Sequence, residues 1–111
     1  MPRTEEMVVI LGTIRVPPEN LAAARAAIER IVCGSRAEAG CLEYSYSVDV
    51  LDPEIVRITE RWTDRAALDQ HFRSPHLAEW QAAWERLGVT DGNFLMYAAR
   101  EMGPISLPKG E

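Results

Sequence analysis

The sequence has few cysteines and no long hydrophobic run, and each shortage excludes a class of protein. Cys33 and Cys41 are the only cysteines among 111 residues, too few for a disulfide framework, and they form no C-x-x-C pair. The longest apolar stretch, residues 7–11, is far shorter than the ~20 residues of a membrane-spanning helix. No secretory signal is recognisable at residues 1–6, so we expect a cytoplasmic protein.

Basic clusters and phosphate-binding glycine motifs are also missing. The net charge is −5, and the 17 acidic and 12 basic residues are interspersed along the chain. An acidic chain without a basic stripe is a poor candidate for binding nucleic acid or an anionic membrane surface. The seven glycines form neither G-x-G-x-x-G nor a P-loop, and G-x-S-x-G is absent. We therefore expect no nucleotide cofactor.

The composition that remains is that of a globular protein. Hydrophobic residues make up 47% of the chain and charged residues 26%, which is a balance typical of folded domains. A chain of this length accommodates one domain with one modest core. We expect residues 1–111 to form a single domain, with the core over about residues 7–102 and an extended tail over residues 103–111.

Alternating apolar residues predict four β-strands, over residues 7–16, 41–50, 54–62 and 93–102. The second alternates most strictly and places Leu42, Tyr44 and Tyr46 on one face. Asp52 and Pro53 predict a turn between the second and third strands, which should form a hairpin.

Apolar residues at spacings of three and four predict helices between these strands. The first covers about residues 18–39, the second follows a capping residue, Asp64, through Phe72, and the third starts at Ser74 and ends before Gly88. The order β-α-β-β-α-β predicts an α+β, ferredoxin-like fold, in which helices cover one face of a four-stranded antiparallel sheet.

The first predicted strand is apolar on both faces, and its two apolar sets are Met7, Val9, Leu11 and Val8, Ile10, Ile14. A strand with two apolar faces requires cover on both. Because the helices cover only one face, we predict that a second copy of the chain covers the other, in a homodimer.

Three segments resemble the antibiotic biosynthesis monooxygenase family: EAGCLEY at residues 38–44, ERW at residues 60–62, and ALDQHFRSPHL at residues 67–77. The resemblance covers roughly residues 8–102. It implies a dimeric α+β barrel with a substrate cavity between sheet and helices. It also implies an oxygenase that acts with O₂ on a hydroquinone or an aromatic polyketide without a cofactor.

The resemblance assigns candidate site residues as well. His71 is the candidate general base, and Glu60 is the candidate carboxylate that orients it. The implied substrate-binding residues are Tyr44, Tyr46, Trp62, Phe72, His76, Trp80 and Trp84. We expect no metal site, because His71 and His76 are separated by five positions across a proline and no third ligand has a matching spacing.

The expected chemistry follows from the residue types. A phenol gives an electron to O₂ readily only after it loses its proton, and free phenols ionise near pH ~10. A neutral histidine within hydrogen-bond reach accepts that proton near neutral pH. Aromatic walls stack against the substrate ring and exclude water. The substrate anion then supplies the reducing power, so neither flavin nor metal is required in principle.

Each candidate also has a simpler interpretation. His71 fits a hydrogen-bonded core histidine, His76 a surface residue in a first helical turn, and Trp80 and Trp84 ordinary core residues. Glu60 fits an ion pair with Arg57 or Arg61. A non-catalytic small-molecule-binding or stress-response barrel, and an isomerase or lyase that transfers a proton, therefore remain alternative functions.

Haem chemistry is weakly supported. Haem-degrading relatives use an asparagine on the first strand and a ligating histidine in the later helix. The corresponding segments here, residues 11–13 and 78–81, read LGT and AEWQ and contain neither residue.

Overall fold

The computed structural model describes residues 6–109, so the ends of the expected domain and tail, residues 1–5 and 110–111, lie outside the described part. The elements in chain order are β1 Met7–Arg15, a 3₁₀ turn Pro18–Asn20, α1 Leu21–Arg36, β2 Cys41–Val48, β3 Ile55–Trp62, α2 Arg65–Phe72, α3 Pro75–Leu87 and β4 Thr90–Ala99. The strands form one antiparallel sheet in the order β2-β3-β1-β4. The predicted ferredoxin-like α+β fold is confirmed.

Element boundaries differ from the predicted ones where side chains or missing partners end a strand. β2 stops at Val48 because the next residue, Asp49, accepts hydrogen bonds from the backbone N–H groups of Leu51 and Asp52 and from Arg57. β4 ends at Ala99, since that residue pairs with Met7, the first residue of β1, and no neighbouring strand within residues 6–109 continues beyond it. Residues 100–109 have no regular secondary structure.

The helices cover one face of the sheet, and the core lies between the two layers. Alternate residues of β1, namely Val8, Ile10 and Ile14, are buried there. Ile58 and Trp62 of β3 lie in the same layer, and their burial leaves at most 1% of either exposed. Burial of apolar surface at roughly 25 cal/mol per Å² is the main stabilising contribution to such a two-layer arrangement.

A register shift in β2 corrects one predicted orientation. Cys41 pairs with Trp62, but the next pair is Glu43 with Arg61, so Leu42 is an extra residue in the ladder. Leu42 is consequently 47% exposed, whereas Tyr44 is buried as predicted. A bulge of this kind moves every residue on one side of it by one position relative to simple alternation.

The opposite face of the sheet is apolar along β1 and β4. Leu11 pairs with Leu95 and Val9 pairs with Tyr97, so these four side chains lie on the same face. Leu95 is 56% exposed and Tyr97 is 44% exposed in the single chain. Within residues 6–109, no helix has the length and hydrophobicity needed to span a lipid bilayer.

Candidate active site

A tight turn after α1 fixes the position of Glu38. Gly40 ends this turn with φ of +85°, a left-handed conformation that other residues rarely adopt. A Cβ atom at Gly40 would lie 2.6 Å from Cβ of Ala67, so the turn packs directly against α2. The backbone N–H of Thr63 donates to the Gly40 carbonyl at 2.8 Å, which joins the turn to the end of β3.

The Glu38 carboxylate joins two histidines from successive helices. Its Oε2 atom lies 2.6 Å from Nδ1 of His71, in α2, and 2.7 Å from Nε2 of His76, near the start of α3. Ser74 caps α3 by accepting from the backbone N–H of Leu77, and its own N–H donates to the His71 carbonyl. The sharp corner between the helices therefore allows histidines five positions apart to reach one oxygen atom.

Gly34 in α1 provides the space for His76. A Cβ atom at this position would lie 2.8 Å from Cγ of the His76 ring. The imidazole therefore packs directly against the backbone of α1. This close approach explains why a glycine occupies the interior of a helix, where it otherwise reduces stability by up to ~1 kcal/mol relative to alanine.

The environment of His71 favours its neutral form. His71 is 1% exposed, and this burial lowers the pKa of its imidazole below the usual value, although the hydrogen bond and the charge of Glu38 act in the opposite direction. Because a carboxylate can only accept, Nδ1 carries the hydrogen and the neutral ring keeps its lone pair on Nε2.

The same three side chains are a potential cation site. The ligand-type atoms of Glu38, His71 and His76 lie within 4.8 Å of one another. Two imidazoles and one carboxylate are a donor set that transition metals accept. The structure brings in Glu38 from a separate element as a third ligand-type group, which the spacing of the histidines alone did not indicate. The hydrogen bonds from both rings to Glu38 already connect the three groups without an ion.

A cavity of about 250 Å³ lies between the sheet and the helices, next to His71. Its wall is mostly aromatic and is formed by Ile10, Tyr44, Tyr46, Glu60, His71, Phe72, Leu77, Trp80, Gln81, Trp84 and Phe94. The ring of Phe94 lies over Gly12, where a Cβ atom would be only 2.3 Å from Cδ2 of the phenylalanine. The absence of a side chain at Gly12 thus lets β4 contribute to the wall.

Glu60 is the acidic residue in this wall. It is 6% exposed, and burial raises the pKa of its carboxyl to about 7, against the opposing effect of the hydrogen bond that Trp62 Nε1 donates to it at 3.0 Å. The charge of Glu38 also raises this pKa. Glu60 therefore changes between a neutral hydrogen-bond donor and an anion near neutral pH.

The tyrosines and tryptophans form a continuous aromatic layer. The ring of Tyr44 lies 5.2 Å from His71 and 5.8 Å from Tyr46, measured between centroids. Tyr46 in turn lies 6.0 Å from Trp80, and Trp80 lies 6.1 Å from Trp84. Burial raises the pKa of both tyrosines well above the usual value, so their hydroxyls stay protonated.

The structure brings most of the sequence-predicted site residues to one place. Tyr44, Tyr46, Glu60, His71, Phe72, Trp80 and Trp84 all line the cavity. Trp62 is fully buried behind it, with its ring centroid 4.6 Å from that of His71. His76 lies on the other side of Glu38, in an outer groove.

One assignment changes in the structure. The carboxylate that holds His71 is Glu38, whereas Glu60 accepts from Trp62. The alternative ion pairs of Glu60 are not formed either, because Arg57 pairs with Asp49 and Arg61 with Glu43.

Sequence reasoning missed Glu38 as a functional residue. It stands in the EAGCLEY segment that carried the family resemblance, so a signal was present, but nothing in the spacing connects it to a histidine 33 positions away. Leu77, Gln81 and Phe94 were also missed as wall residues. Only the fold places them there.

The fold agrees with the comparisons with known proteins. A family model described as antibiotic biosynthesis monooxygenase matches residues 7–83, and the chain belongs to this family. The crystal structure of a "putative antibiotic biosynthesis monooxygenase" from Deinococcus radiodurans superposes with a TM-score of 0.82 at 32% identity, covering 89% of this chain and 98% of that one. The structure of PA3566 from Pseudomonas aeruginosa gives 0.79 at 26% identity, covering 90% and 100%.

Two curated relatives are similar over part of the chain. "Uncharacterized protein sll1783" from Synechocystis is 33% identical over 76 residues, which cover 68% of this chain. "Putative monooxygenase Rv0793" from Mycobacterium tuberculosis is 32% identical over 75 residues, or 68% of this chain and 73% of that protein. The match spans only about half, 52%, of the Synechocystis protein.

The contact between Gly34 and His76 predicts that replacing this helical glycine by alanine changes the stability of the protein in the direction opposite to the usual one. Glycine to alanine in a helix normally stabilises a protein by up to ~1 kcal/mol. We expect Gly34→Ala to destabilise this protein by about 1–3 kcal/mol instead, because the new methyl group displaces the His76 ring. Urea unfolding midpoints measure the difference.

The matched control is the same substitution in a His76→Ala background. Removing the ring removes the obstruction, so Gly34→Ala should then stabilise the protein. A stabilising effect of Gly34→Ala with His76 intact would contradict the close packing of this histidine against α1.

The raised pKa of Glu60 predicts a dependence of stability on pH. The folded protein keeps a proton that the unfolded chain releases, so stability falls as pH rises from the unfolded pKa, near ~4.3, to the folded value of about 7. Protonated Glu60 stabilises the folded protein by roughly 3 kcal/mol, and wild type should lose most of this stabilisation between pH 5 and pH 8. The Glu60→Gln variant should not show this loss. The lowered pKa of His71 acts in the opposite direction but is common to both proteins. Guanidinium unfolding of both proteins across this pH range tests the prediction. An equal dependence of the free energy of unfolding on pH in the two proteins would contradict it.

Proposed function

We propose that this protein oxidises a small, electron-rich phenol or hydroquinone with O₂, without a bound prosthetic group. The observation that supports the proposal most directly is His71, which lines an aromatic cavity, is held by Glu38 at Nδ1, and keeps its Nε2 lone pair. Membership of the monooxygenase family supports the same class of reaction.

The size and polarity of the cavity limit the substrate. A volume of about 250 Å³ lies just below the ~300–1,000 Å³ typical of sites for drug-sized ligands. It suits one or two fused rings better than a larger polyketide. The wall is largely aromatic, which favours stacking with a flat ring and excludes water.

The first step is removal of the phenolic proton. Nε2 of His71 accepts it, and Glu38 stabilises the imidazolium that forms. Glu60, on the same wall, is neutral below its pKa of about 7 and then donates a hydrogen bond to a substrate oxygen.

The second step transfers electrons to O₂. The hydroquinone anion gives one electron to O₂, and the resulting semiquinone and superoxide combine at a ring carbon to form a C–O bond. The peroxide takes back the proton from His71, and loss of water leaves a hydroxyquinone. For the simplest case the balance is C₆H₆O₂ + O₂ → C₆H₄O₃ + H₂O, in which each product receives one of the two atoms of O₂.

Removing the base should abolish this activity. We expect His71→Ala to lower the rate of O₂ uptake with a hydroquinone panel about 10²–10⁴-fold, towards the autoxidation rate. Glu38→Gln, which weakens the support of the imidazolium, should give an intermediate loss. Glu79→Gln is the matched control and should keep the wild-type rate, because it makes the same change at an exposed carboxylate that pairs with Arg30 and does not line the cavity.

The outcomes separate the candidate functions. Equal O₂ uptake in wild type and His71→Ala would contradict the role of His71. Substrate turnover that continues without O₂ would favour the proton-transferring isomerase or lyase, which the neutral His71 and the titrating Glu60 on one wall also suit. Ligand binding without turnover would favour a binding protein.

We also propose that the protein acts as a homodimer. The apolar face formed by Val9 and Leu11 of β1 with Leu95 and Tyr97 of β4 is open in the single chain. An exposed apolar face of a sheet is stabilised by covering it, and a second copy related by a two-fold axis does so with the same residues.

Light scattering with size-exclusion chromatography tests the dimer at micromolar concentration. Wild type should have twice the chain mass of 12.4 kDa. Leu95→Asp, which places a charge on the apolar face, should give a monomer. Val50→Asp, at a 96% exposed position outside the strands, should stay dimeric. A monomeric wild type would contradict the proposal.

A further inference from the structure

Glu38, His71 and His76 form a compact cluster of metal-ligating groups on the outer side of the cavity wall. Oε2 of Glu38 lies 2.6 Å from Nδ1 of His71 and 2.7 Å from Nε2 of His76, and the two imidazole centroids are 5.9 Å apart. Two imidazole nitrogens and one carboxylate oxygen are a set of protein ligands with which Zn²⁺ keeps a fourth position open for water. The cluster therefore has the number and the chemistry of donors that Zn²⁺ requires.

The cluster needs only a small expansion to hold an ion. Zn²⁺ binds nitrogen and oxygen ligands at ~2.0–2.2 Å, which places two tetrahedral ligand atoms about 3.3 Å apart. The contacts of 2.6 and 2.7 Å must therefore lengthen by roughly half an ångström. Glu38 lies in the turn between α1 and β2, and its side chain is partly exposed. Rotation of this side chain makes the space while both histidines stay in place.

An ion reaches the cluster from outside the cavity. Glu38 and His76 line the outer groove, whereas His71 lines the cavity. The His71 side chain is buried, so its Nδ1 is approached past Glu38 and His76. Arg73 lines the same groove and opposes a cation, and the Glu38 carboxylate offsets its charge. We therefore expect a micromolar affinity rather than a tighter one.

Metal binding at Nδ1 changes what His71 presents to the cavity. In the hydrogen-bonded cluster Nδ1 carries the hydrogen and the neutral ring has its lone pair on Nε2. A metal ion binds a nitrogen lone pair, so the hydrogen must leave Nδ1, and the neutral ring then carries it on Nε2. The ring stays neutral, but Nε2 has become a donor and no longer accepts a proton from a ligand in the cavity.

We propose that Glu38, His71 and His76 bind Zn²⁺, or a divalent metal ion with the same ligand preference, and that the bound ion inactivates His71 as a base from outside the cavity. The binding site rests on the cluster alone, and the inactivation rests on the proposed function. Because the ion and the substrate occupy different places, the ion acts as an inhibitor that does not compete for the cavity.

Binding is measured with Zn²⁺ alone on the full chain without an affinity tag. Competition with a chromophoric chelator should show one ion per chain and a micromolar Kd. His76→Gln and Glu38→Gln each remove a ligand and should weaken binding at least ~10²-fold, since changes to groups that only support a metal ligand already cost ~10–100-fold. If Glu38→Gln fails to fold, His76→Gln at a partly exposed position decides alone.

Two controls separate the cluster from other ligands of zinc. Glu79→Gln makes the same change at an exposed carboxylate that pairs with Arg30, and Cys33→Ser removes an exposed thiol. Both variants should bind Zn²⁺ as wild type does. Loss of binding in Cys33→Ser would assign the ion to the thiol and contradict the proposal.

The position of the ring hydrogen is a direct readout of the switch. His71 and His76 are the only histidines of the chain, so long-range proton–nitrogen NMR spectra contain few ring signals, and the His76→Gln variant identifies those of His71. We expect the hydrogen on Nδ1 of His71 in the metal-free protein and on Nε2 in the zinc-bound protein.

The effect on activity is measured as O₂ uptake from a hydroquinone. Zn²⁺ should lower kcat with little effect on KM, and a chelator should restore the rate. Expressed relative to the metal-free rate of each protein, the inhibition should be strong in wild type and in Glu79→Gln, and lost in His76→Gln. An unchanged rate in the zinc-bound wild type would overturn the inactivation.

Three further results would overturn the proposal: no binding of Zn²⁺ to wild type below millimolar concentration, equal binding in the folded ligand variants, or a hydrogen that stays on Nδ1 of His71 in the zinc-bound protein. These results are distinct from failure of the proposed oxidation. Zinc binding that moves the hydrogen, in a protein without O₂ uptake, supports the metal site and contradicts the oxygenase. O₂ uptake that depends on His71, in a protein that binds no zinc, does the reverse.

Discussion

The hydrogen bonds from His71 and His76 to one oxygen atom of Glu38 are the interaction on which the site depends. They join the turn after α1 to both helices that cover the cavity. A bond to a charged group contributes more than one between neutral groups, and two such bonds on one acceptor fix the angle at which α2 and α3 meet. Gly34 and Gly40 supply the space that this junction needs, the first under the His76 ring and the second against α2.

The wall of the cavity beside this junction carries little charge below the pKa of Glu60, about 7, and burial is the common cause. Burial lowers the pKa of His71, raises those of Tyr44 and Tyr46, and raises that of Glu60 to about 7. Groups that titrate well apart in water therefore all favour their neutral forms here. A neutral base and a neutral acid on one wall are suited to moving a proton within a ligand that carries no charge of its own.

Most of the fold could be predicted from periodicity, because strand and helix patterns are local. The sequence showed where the strands and helices lie and that both faces of β1 are apolar, but not which of the two faces lies against the helices. It did not show the bulge at Leu42, since simple alternation continues through it. The wall residues Trp80 and Trp84 on α3 were implied by the family resemblance, whereas their helical spacing alone fits ordinary core residues as well. The partner of His71 was not, because a contact between residues 38 and 71 depends on a turn and a helix corner that have no periodic pattern.

The support of His71 and the lining of the cavity belong to different parts of the chain. Glu38 reaches the histidine from the turn after α1, whereas Trp80, Gln81 and Trp84 of α3 and Phe94 of β4 make no hydrogen bond to either residue within residues 6–109. Substitutions on those two elements can therefore reshape ligand selectivity while the acid–base pair stays intact.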